Sequence, residues 1–196
     1  MRAEILDAAR NLLTEEGPDA VTLGSVSGRL GMTKPALYHY FPAKEALTRS
    51  LVAALIDEEI RGLEAAVSHV GAGENPLGAM IRAFHAHYRK DLNAFRFVYG
   101  QSQLYVKPEL GIDVEMIRSN ITPRTRHLFD LLESRLAADN PGKAERQRMR
   151  RLAFVAWTSA LGLLTMIAIA EGTGDPLRYT DDDLLDTLVA VFENTT

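Results

Sequence analysis

Residues 33 to 41 of the chain read TKPALYHYF and crowd hydrogen-bond donors into a short stretch. The lysine ammonium, the histidine N–H and the two tyrosine hydroxyls can donate to phosphate oxygens and to the edges of nucleic-acid bases. Leu37 and Phe41 are four residues apart and share one helical face, which leaves the donors on the other faces. The pattern predicts a helix that is held by two apolar residues and presents its donors outward. The alternative is that the tyrosine rings pack against a neighbouring helix and only their hydroxyls reach water.

The segments before this stretch predict two further helices. Apolar residues at helical spacing give the first helix a single buried face, formed by Ile5, Ala8, Ala9, Leu12 and Leu13. Gly17 ends that helix, and Thr22 is suited to cap a short second one. Gly31 ends the second helix and Thr33 can cap the third. Two short helices joined by a tight turn are typical of a DNA-binding helix-turn-helix.

Charge is distributed unevenly along the chain. Its formal net charge is −4, yet residues 22 to 50 carry Arg29, Lys34, Lys44 and Arg49 against Glu45, a local sum of +3 that leaves −7 elsewhere. Four cations in such a stretch are close to the average for any protein, so the count alone does not indicate a function. Combined with the donors on the third helix, it favours docking of this region to a polyanion.

The rest of the chain predicts an all-α protein, because helical periodicity recurs and no alternating strand pattern is found. We expect helices at about 77–91, 122–138 and 143–171, a last helix capped by Thr180, and partly helical segments at 92–105 and 108–120. Cysteine is absent, which excludes disulfides and Cys-ligated metals. The amphipathic N-terminus lacks the features of a signal peptide, so a cytoplasmic protein is expected.

The run VTLGSVSGRLGMTKPALYHYFPAKEAL resembles the N-terminal domain of TetR-family transcriptional regulators. The likeness rests on Thr22, Gly31, Leu37, the run 38–41, and on Lys44 and Glu45 followed by Leu47. It implies an N-terminal three-helix DNA-binding domain over residues 1–46 and a helical ligand-binding and dimerisation domain over residues 47–196. Two positions depart from the family pattern. Ser27 replaces the usual Ala, so its hydroxyl needs a partner such as a backbone carbonyl one turn back, and Ala43 replaces a Ser or Asn cap.

The resemblance also implies roles for individual residues at the DNA. Four side chains of the third helix would face the major groove or its walls: Lys34, Ala36, Tyr38 and His39. Four others would hold phosphates: Thr22, Ser25, Tyr40 and Lys44. Thr33, at the start of the third helix, completes the expected DNA-binding set.

Residues 152–170 are free of charge and follow three arginines, so by length and flank they could span a membrane. The resemblance instead implies that the last two helices pack against their copies in a homodimer, and we expect no membrane contact. The expected dimer interface contains Trp157, Ser159, Leu161, Gly162, Leu185, Leu188 and Phe192. Trp157 could alternatively line a ligand pocket.

The resemblance further implies a cavity for a small-molecule effector in the larger domain. Its candidate lining is Phe84, His87, Tyr88, Phe95, Tyr99, Met116, Asn120, Trp157 and Met166. These aromatic and Met side chains would suit an apolar or aromatic ligand, with His87 as the main polar contact. Neighbouring carboxylates at 181–183 diverge on a helix and favour its dipole, so neither a metal nor a cofactor is expected.

The sequence therefore predicts a ligand-responsive DNA-binding regulator. The expected form is a dimeric repressor that binds a near-palindromic operator on double-stranded DNA and is released by its effector. No nucleophile–base pair, Gly-rich phosphate loop or HExxH motif is found, so an enzyme is not expected. Two other classes remain open: a small α-helical enzyme or carrier, and an α-helical adaptor that only dimerises.

Overall fold

The structure is a computed structural model that describes residues 1–71, 73–100, 114–137, 141–174 and 177–193. Helices account for nearly all of these residues and no strand occurs among them, which confirms the all-α prediction. The elements are α1 (Arg2–Glu16), a 3₁₀ turn (Pro18–Ala20), α2 (Leu23–Arg29), α3 (Lys34–Tyr40), α4 (Lys44–Ser68), α5 (Pro76–Arg89), α6 (Leu92–Phe95), α7 (Val114–Met116), α8 (Thr122–Leu136), α9 (Lys143–Thr173) and α10 (Asp181–Glu193). The predictions for residues 101–113 lie outside the described part of the chain.

The chain forms two compact units that are not simple halves of the sequence. The first contains Met1–Glu58 and Asp91–Pro123, and the second contains Glu59–Lys90 and Arg124–Thr196. Helix α4 therefore contributes residues to both units. The boundary expected at residue 46 falls inside α4, and it stays a prediction.

The core of the first unit is centred on α1. Its five buried residues are the five that helical spacing predicted, Ile5, Ala8, Ala9, Leu12 and Leu13. Gly17 ends the helix with φ 90°, a conformation that glycine adopts without strain. Helix α2 packs on α1 and on α3, so α1 supports α2 and α2 in turn supports α3.

The second unit is built from α5, α9 and α10, which pack on one another. Apolar side chains of α5 supply much of its core, with Leu77, Met80, Ile81 and Phe84 fully buried. Gly78 allows α10 to approach closely, because a Cβ there would lie 3.2 Å from Val189 Cγ1. Asn75 caps α5 by accepting from the Leu77 N–H at 2.8 Å.

The start of α8 agrees with the helix predicted at about 122–138, but it does not follow a break in the chain. Thr122 is itself helical, with φ −55° and ψ −41°. A π-helical segment, Ile117–Ile121, leads into α8 without a break. The wider π turn accommodates Pro123, which has no N–H to donate back to the preceding turn. The Thr-Pro pair therefore lies within a continuous helix.

Candidate nucleic-acid interface

Helix α2 begins at a hydroxyl cluster, as the sequence predicted. The Thr22 Oγ1 accepts from the Ser25 N–H at 3.0 Å, and the two hydroxyl oxygens lie 2.9 Å apart. Ser25 is exposed and Thr22 half-buried. Both hydroxyls therefore lie at the positive end of α2, where free amides and the helix dipole favour an anion.

The turn between α2 and α3 requires glycine at one position. Gly31 has φ 63°, and the following Met32 N–H donates to the Ser27 carbonyl at 2.9 Å. Ser27 is buried, and its hydroxyl donates to the Gly24 carbonyl at 2.9 Å. Ser27 departs from the family pattern, and the prediction that its hydroxyl bonds to a backbone carbonyl one turn back is thus confirmed.

Helix α3 is anchored by the two apolar residues that helical spacing predicted to be buried. Leu37 and Phe41 are both 0% exposed. Thr33 caps the helix by accepting from the Ala36 N–H at 3.4 Å, and Pro35 lies in the first turn, where its missing N–H costs nothing. The helix is short, so its orientation is set by these anchors and by the turn at Gly31.

The outward faces of α3 carry the donors. Lys34, Ala36 and His39 are exposed, and Tyr38 is 49% exposed. Tyr40 is half-buried, and its ring meets the His39 ring edge-on with centroids 5.4 Å apart. The exposure of Tyr38 argues against the alternative in which its ring packs on a neighbouring helix, whereas the half-buried ring of Tyr40 is compatible with that alternative.

The local charge is smaller than the sequence count suggested. The Arg29 guanidinium lies 2.7 Å from Glu15 Oε2 and 3.2 Å from Glu16 Oε1, both on α1. The hydrogen bond from Arg29 lowers the pKa of Glu15 below its ordinary value. Arg29 is therefore paired with α1 and adds little net charge, so the exposed positive charge at the starts of α3 and α4 comes from Lys34 and Lys44.

Lys44 is exposed at the first position of α4. The residue before it, Ala43, has no side-chain acceptor, and its carbonyl accepts from Ala46 and Leu47. Unlike Thr22 and Thr33, Ala43 therefore offers no side-chain cap to the first amides of α4. A lysine at such a helix start is suitably placed to bind one phosphate group.

Sequence reasoning missed one cation next to α3. The Arg2 guanidinium lies over the Phe41 ring, 4.6 Å from its centroid, and also donates to Ser50 Oγ at 3.2 Å. Arg2 thus ties the start of α1 to the end of α3 and to α4. No periodic pattern in the sequence signals this contact, because it joins residues far apart in the chain.

The expected effector residues fall in both compact units. In the second unit, Phe84 and Tyr88 are fully buried with ring centroids 5.4 Å apart, and half-buried His87 contacts the Tyr88 ring at 4.6 Å. The Tyr88 hydroxyl donates to Glu59 Oε2 at 2.6 Å, and Glu59 is only 3% exposed. Sequence reasoning missed Glu59, a carboxylate on a helix that otherwise reads as amphipathic.

The remaining effector candidates are less closely grouped. In the first unit, buried Phe95 contacts Tyr99 with ring centroids 5.4 Å apart, Met116 is buried and Asn120 is exposed. In the second unit, Trp157 is half-buried and Met166 is 53% exposed. Two clefts of the second unit, of about 350 and 790 Å³, are lined by other residues.

The expected dimer residues divide into two groups. Ser159 and Leu161 are half-buried and Gly162 is exposed along α9, beside half-buried Trp157. On α10, Leu185 and Phe192 are buried within the chain itself and Leu188 is half-buried. The exposed large apolar side chains of these two helices include four that sequence reasoning did not assign to an interface: Phe154, Val155, Ile169 and Val191.

Helices α2 and α3, joined by the tight turn at Gly31, form a helix-turn-helix, and α3 exposes hydrogen-bond donors. This arrangement is typical of a DNA-binding domain. Residues 5–51 match the family model of bacterial regulatory proteins of the tetR family. This match shows that residues 5–51 form a TetR-family DNA-binding domain, as the sequence resemblance indicated. Proteins of this family are DNA-binding regulators and not enzymes.

Known proteins resemble the chain beyond this domain. The HTH-type transcriptional activator FasR of Mycolicibacterium smegmatis is 24% identical over 155 residues, which are 79% of this chain and 67% of FasR. A TetR/AcrR-family regulator from Thermobifida fusca has a TM-score of 0.66 at 20% identity, with 98% of this chain and 96% of that one covered. FadR from Bacillus subtilis, solved with stearoyl-CoA, has a TM-score of 0.67 at 15% identity and full coverage of both chains. At these identities the structural likeness establishes the fold.

Proposed function

We propose that the protein is a homodimeric repressor that binds a near-palindromic operator and is released by a small apolar or aromatic effector. The observation that carries the proposal is the division of α3. Leu37 and the C-cap residue Phe41 are fully buried, while Lys34, Tyr38 and His39 face solvent. We assign residues 1–46 to DNA binding and residues 47–196 to the effector and the dimer.

The two kinds of DNA contact are assigned to different residues. Lys34, Ala36, Tyr38 and His39 would approach base edges, and would therefore set sequence preference. Thr22, Ser25, Thr33, Tyr40 and Lys44 would contact phosphates or position the helix, and would therefore set overall affinity. The hydroxyl pair at the start of α2 and the lysine at the start of α4 support this division, because both lie at helix N-termini.

The proposed dimer face is a stripe along α9. Its members recur at alternating spacings of four and three residues, the repeat that keeps one helical face against a partner helix, and are Val155, Ser159, Gly162, Met166 and Ile169. Val155, Met166 and Ile169 are each 50% exposed or more. The apolar surface continues on α10 with Leu184, Leu188 and Val191. Leu185 and Phe192 are buried within the single chain and therefore lie outside the proposed face.

Helix α9 also has the length and apolar composition of a membrane span, and 33% of its most apolar stretch of 18 residues is buried within the chain. Core helices of soluble proteins share this length and composition. Pairing with a second copy accounts for the exposed stripe and agrees with a DNA-binding role in the cytoplasm. Analytical ultracentrifugation without detergent should give a dimer, and Met166→Asp should shift it toward a monomer. A chain that requires detergent to remain in solution would contradict the dimer.

The effector is proposed to contact the aromatic groups of α5 in the second unit. Phe84 and Tyr88 supply rings, while His87 and the Tyr88–Glu59 hydrogen bond supply the polar groups. FadR, which shares the fold, was solved with stearoyl-CoA, so long-chain acyl-CoA belongs in the first panel of test ligands beside aromatic compounds. A ligand that raises the melting temperature and releases DNA would support the proposal. Tight binding with unchanged DNA affinity would contradict it.

The decisive experiment is selection of duplexes from a random DNA pool by the purified protein. Recovery of a near-palindrome with half-sites about one helical turn apart, 34–36 Å, is the expected result. Recovery of no preferred sequence, with no binding even in dilute salt, would refute the proposal. The same outcome would leave the carrier and adaptor classes open, and ligand uptake would separate those two.

Activation is the second candidate, because the FasR relative is a transcriptional activator. The selected duplex can decide between the two. Placed within a promoter in an in vitro transcription assay, it should give fewer transcripts when the protein is added. An increase that depends on the same duplex would instead assign the protein as an activator.

A further inference from the structure

One stripe of α5 faces α10 within the second unit. Its members recur at alternating spacings of three and four residues, the repeat that keeps one helical face against a neighbouring helix, and are Asn75, Gly78, Arg82, His85 and Arg89. Four of the five meet α10 in antiparallel order. The contacts are Asn75 Nδ2 to the Phe192 carbonyl at 3.0 Å, the Cβ position of Gly78 to Val189 at 3.2 Å, Arg82 to Asp186 at 2.7 Å, and Arg89 to Asp181. His85 therefore lies opposite the part of α10 between Asp181 and Asp186.

His85 is the unusual member of this stripe. It is only 7% exposed, and its Nε2 has no hydrogen-bond partner among the residues that the structure describes. A buried polar atom normally has a partner, because the hydrogen bond that it loses to water is otherwise not replaced. The stripe therefore holds α10 through its other four positions, while His85 adds a polar group that packing leaves unsatisfied.

The carboxylates of α10 nearest to His85 are exposed or engaged by other groups. Asp181 accepts from Arg89. Asp183 belongs to the N-terminal cap of α10, where its Oδ2 accepts from a hydroxyl at 2.7 Å. Asp182 is exposed. None of the three is within hydrogen-bonding distance of His85 Nε2.

The charged groups on the other two helices are arranged around the same region. On α5, Arg82 and Arg89 flank His85, and each donates to an aspartate of α10. On α9, Glu171 lines a cleft together with Arg89 and Asp181. A proton on His85 would therefore add a third positive charge to the stripe, between two arginines that already hold α10.

Proton uptake favours a state in which His85 is in water. Burial lowers the pKa of His85, Asp181 and Asp182 oppose that shift, and Arg89 adds to it. The packed state thus binds the proton less tightly than an open state in which the pKa is ordinary, so a fall in pH favours opening. Helix α10 has 13 residues, and an isolated helix of that length is marginal in water, so α10 unravels once it leaves α5.

We propose that His85 is a pH-sensitive latch: when it takes up a proton, α10 leaves α5 and unravels. The inference extends the proposed function and rests on it in one respect, because Leu184, Leu188 and Val191 of α10 belong to the proposed dimer face. Acidification would remove that part of the face and weaken the homodimer. The bistable element is the docked or undocked α10, and the proton biases it.

Amide hydrogen exchange tests the latch directly. Exchange of residues 185–189 is measured at pH 7.5 and pH 5.5 and divided by the intrinsic exchange rate at each pH, which gives the opening constant of α10. In the wild type this constant should rise on acidification by up to about tenfold, the limit for one group whose pKa is 6.5 in the open state. It should stay constant in His85→Leu. No rise in the wild type, or the same rise in His85→Leu, would overturn the latch.

The control variants separate His85 from other effects of pH. His87→Gln removes the other histidine of α5, whose ring contacts Tyr88, and should keep the rise seen in the wild type. His85→Gln removes the titrating group while keeping a polar side chain, and it replaces His85→Leu if leucine prevents folding. Its opening constant should likewise not depend on pH, and a rise equal to that of the wild type would overturn the latch.

Exchange in α5 distinguishes local opening of α10 from unfolding of the whole second unit. The amides of residues 80–84 should remain better protected than those of α10 at pH 5.5. Equal opening constants in the two helices would show that α10 opens only with the rest of the unit, and would overturn the latch.

Sedimentation tests the consequence for the homodimer. The dissociation constant of the wild-type dimer should increase between pH 7.5 and pH 5.5, by up to about tenfold per subunit, and that of His85→Leu should not. The same change in both proteins would overturn the link between His85 and the dimer. A protein that is monomeric at both pH values would instead refute the proposed homodimer, and the exchange experiment, which needs neither DNA nor a dimer, would still decide the latch.

Discussion

The hydrogen bond between Tyr88 and Glu59 allows a sharp test of the second unit. Tyr88→Phe keeps the ring and its contacts with Phe84 but removes the donor that lies 2.6 Å from a carboxylate oxygen of Glu59. Both residues are buried, at 0% and 3% exposure. A bond to a charged group in such a place contributes about 2 kcal/mol, and its loss also leaves the carboxylate with one donor fewer. We expect the free energy of unfolding to fall by about that amount.

The assay is urea denaturation followed by circular dichroism, with Tyr179→Phe as the matched control. Tyr179 is 57% exposed, so loss of its hydroxyl should change the free energy of unfolding by less than about 0.5 kcal/mol. Repeating Tyr88→Phe in a Glu59→Gln background should give a smaller loss, since a neutral acceptor binds the hydroxyl less strongly. A decrease of less than about 0.5 kcal/mol in the free energy of unfolding for Tyr88→Phe in the wild-type background would refute the reasoning, because it would show that the Tyr88–Glu59 hydrogen bond contributes little to stability.

Three further predictions concern single side chains. Lys44→Ala should weaken binding to all DNA sequences alike and lower the slope of log affinity against log salt by about 0.9 per subunit; a loss confined to the selected duplex would contradict its phosphate role. Burial lowers the pKa of His85, with Asp181 and Asp182 opposing and Arg89 adding to the shift, so the unfolded chain takes up the proton first as pH falls. The stability that depends on neutral His85 is therefore fully present above its ordinary pKa of 6.5 and is lost as the pH falls below it, by at most about 1.4 kcal/mol per pH unit. Denaturation at pH 7.5 and pH 5.5 should show that the free energy of unfolding depends less on pH for His85→Leu than for the wild type. It should also depend less on pH for His85→Leu than for His127→Gln, the control at an exposed site. Ser27→Ala should leave the free energy of unfolding unchanged within about 0.5 kcal/mol, measured by urea denaturation, because alanine's better helix propensity offsets the lost bond to the Gly24 carbonyl.

Local features of the fold could be predicted from the sequence because their causes lie within a few residues. The buried face of α1 follows from helical spacing, and the caps at Thr22 and Thr33 follow from a hydroxyl three residues before the N–H that it accepts from. The left-handed turn at Gly31 follows from the one residue type that adopts it readily. These causes are what placed the third helix and its exposed face correctly.

The features that could not be predicted depend on residues that are distant in sequence. By the sequence count, residues 22–50 carry a charge of +3, but Arg29 forms an ion pair with Glu15 of α1, so the effective charge of that region is smaller. The Tyr88–Glu59 bond joins α5 to α4 across 29 residues, and no periodic pattern marks a single buried carboxylate. On α10, the expected dimer interface contained both Leu185 and Leu188, but the fold of the single chain buries the first and leaves the second half-buried.

The absence of charge from much of α9 has a consequence for partner choice in the proposed homodimer. Residues 152–170 contain no acid or base, so an interface built on their apolar side chains would discriminate poorly between this chain and a related one with a similar helix. In that dimer, selection of the correct copy would depend on charges at the end of the apolar run, where Arg148 and Arg151 lie exposed on α9. Exchange of those two arginines for acids would change which copies pair without removing the apolar contact.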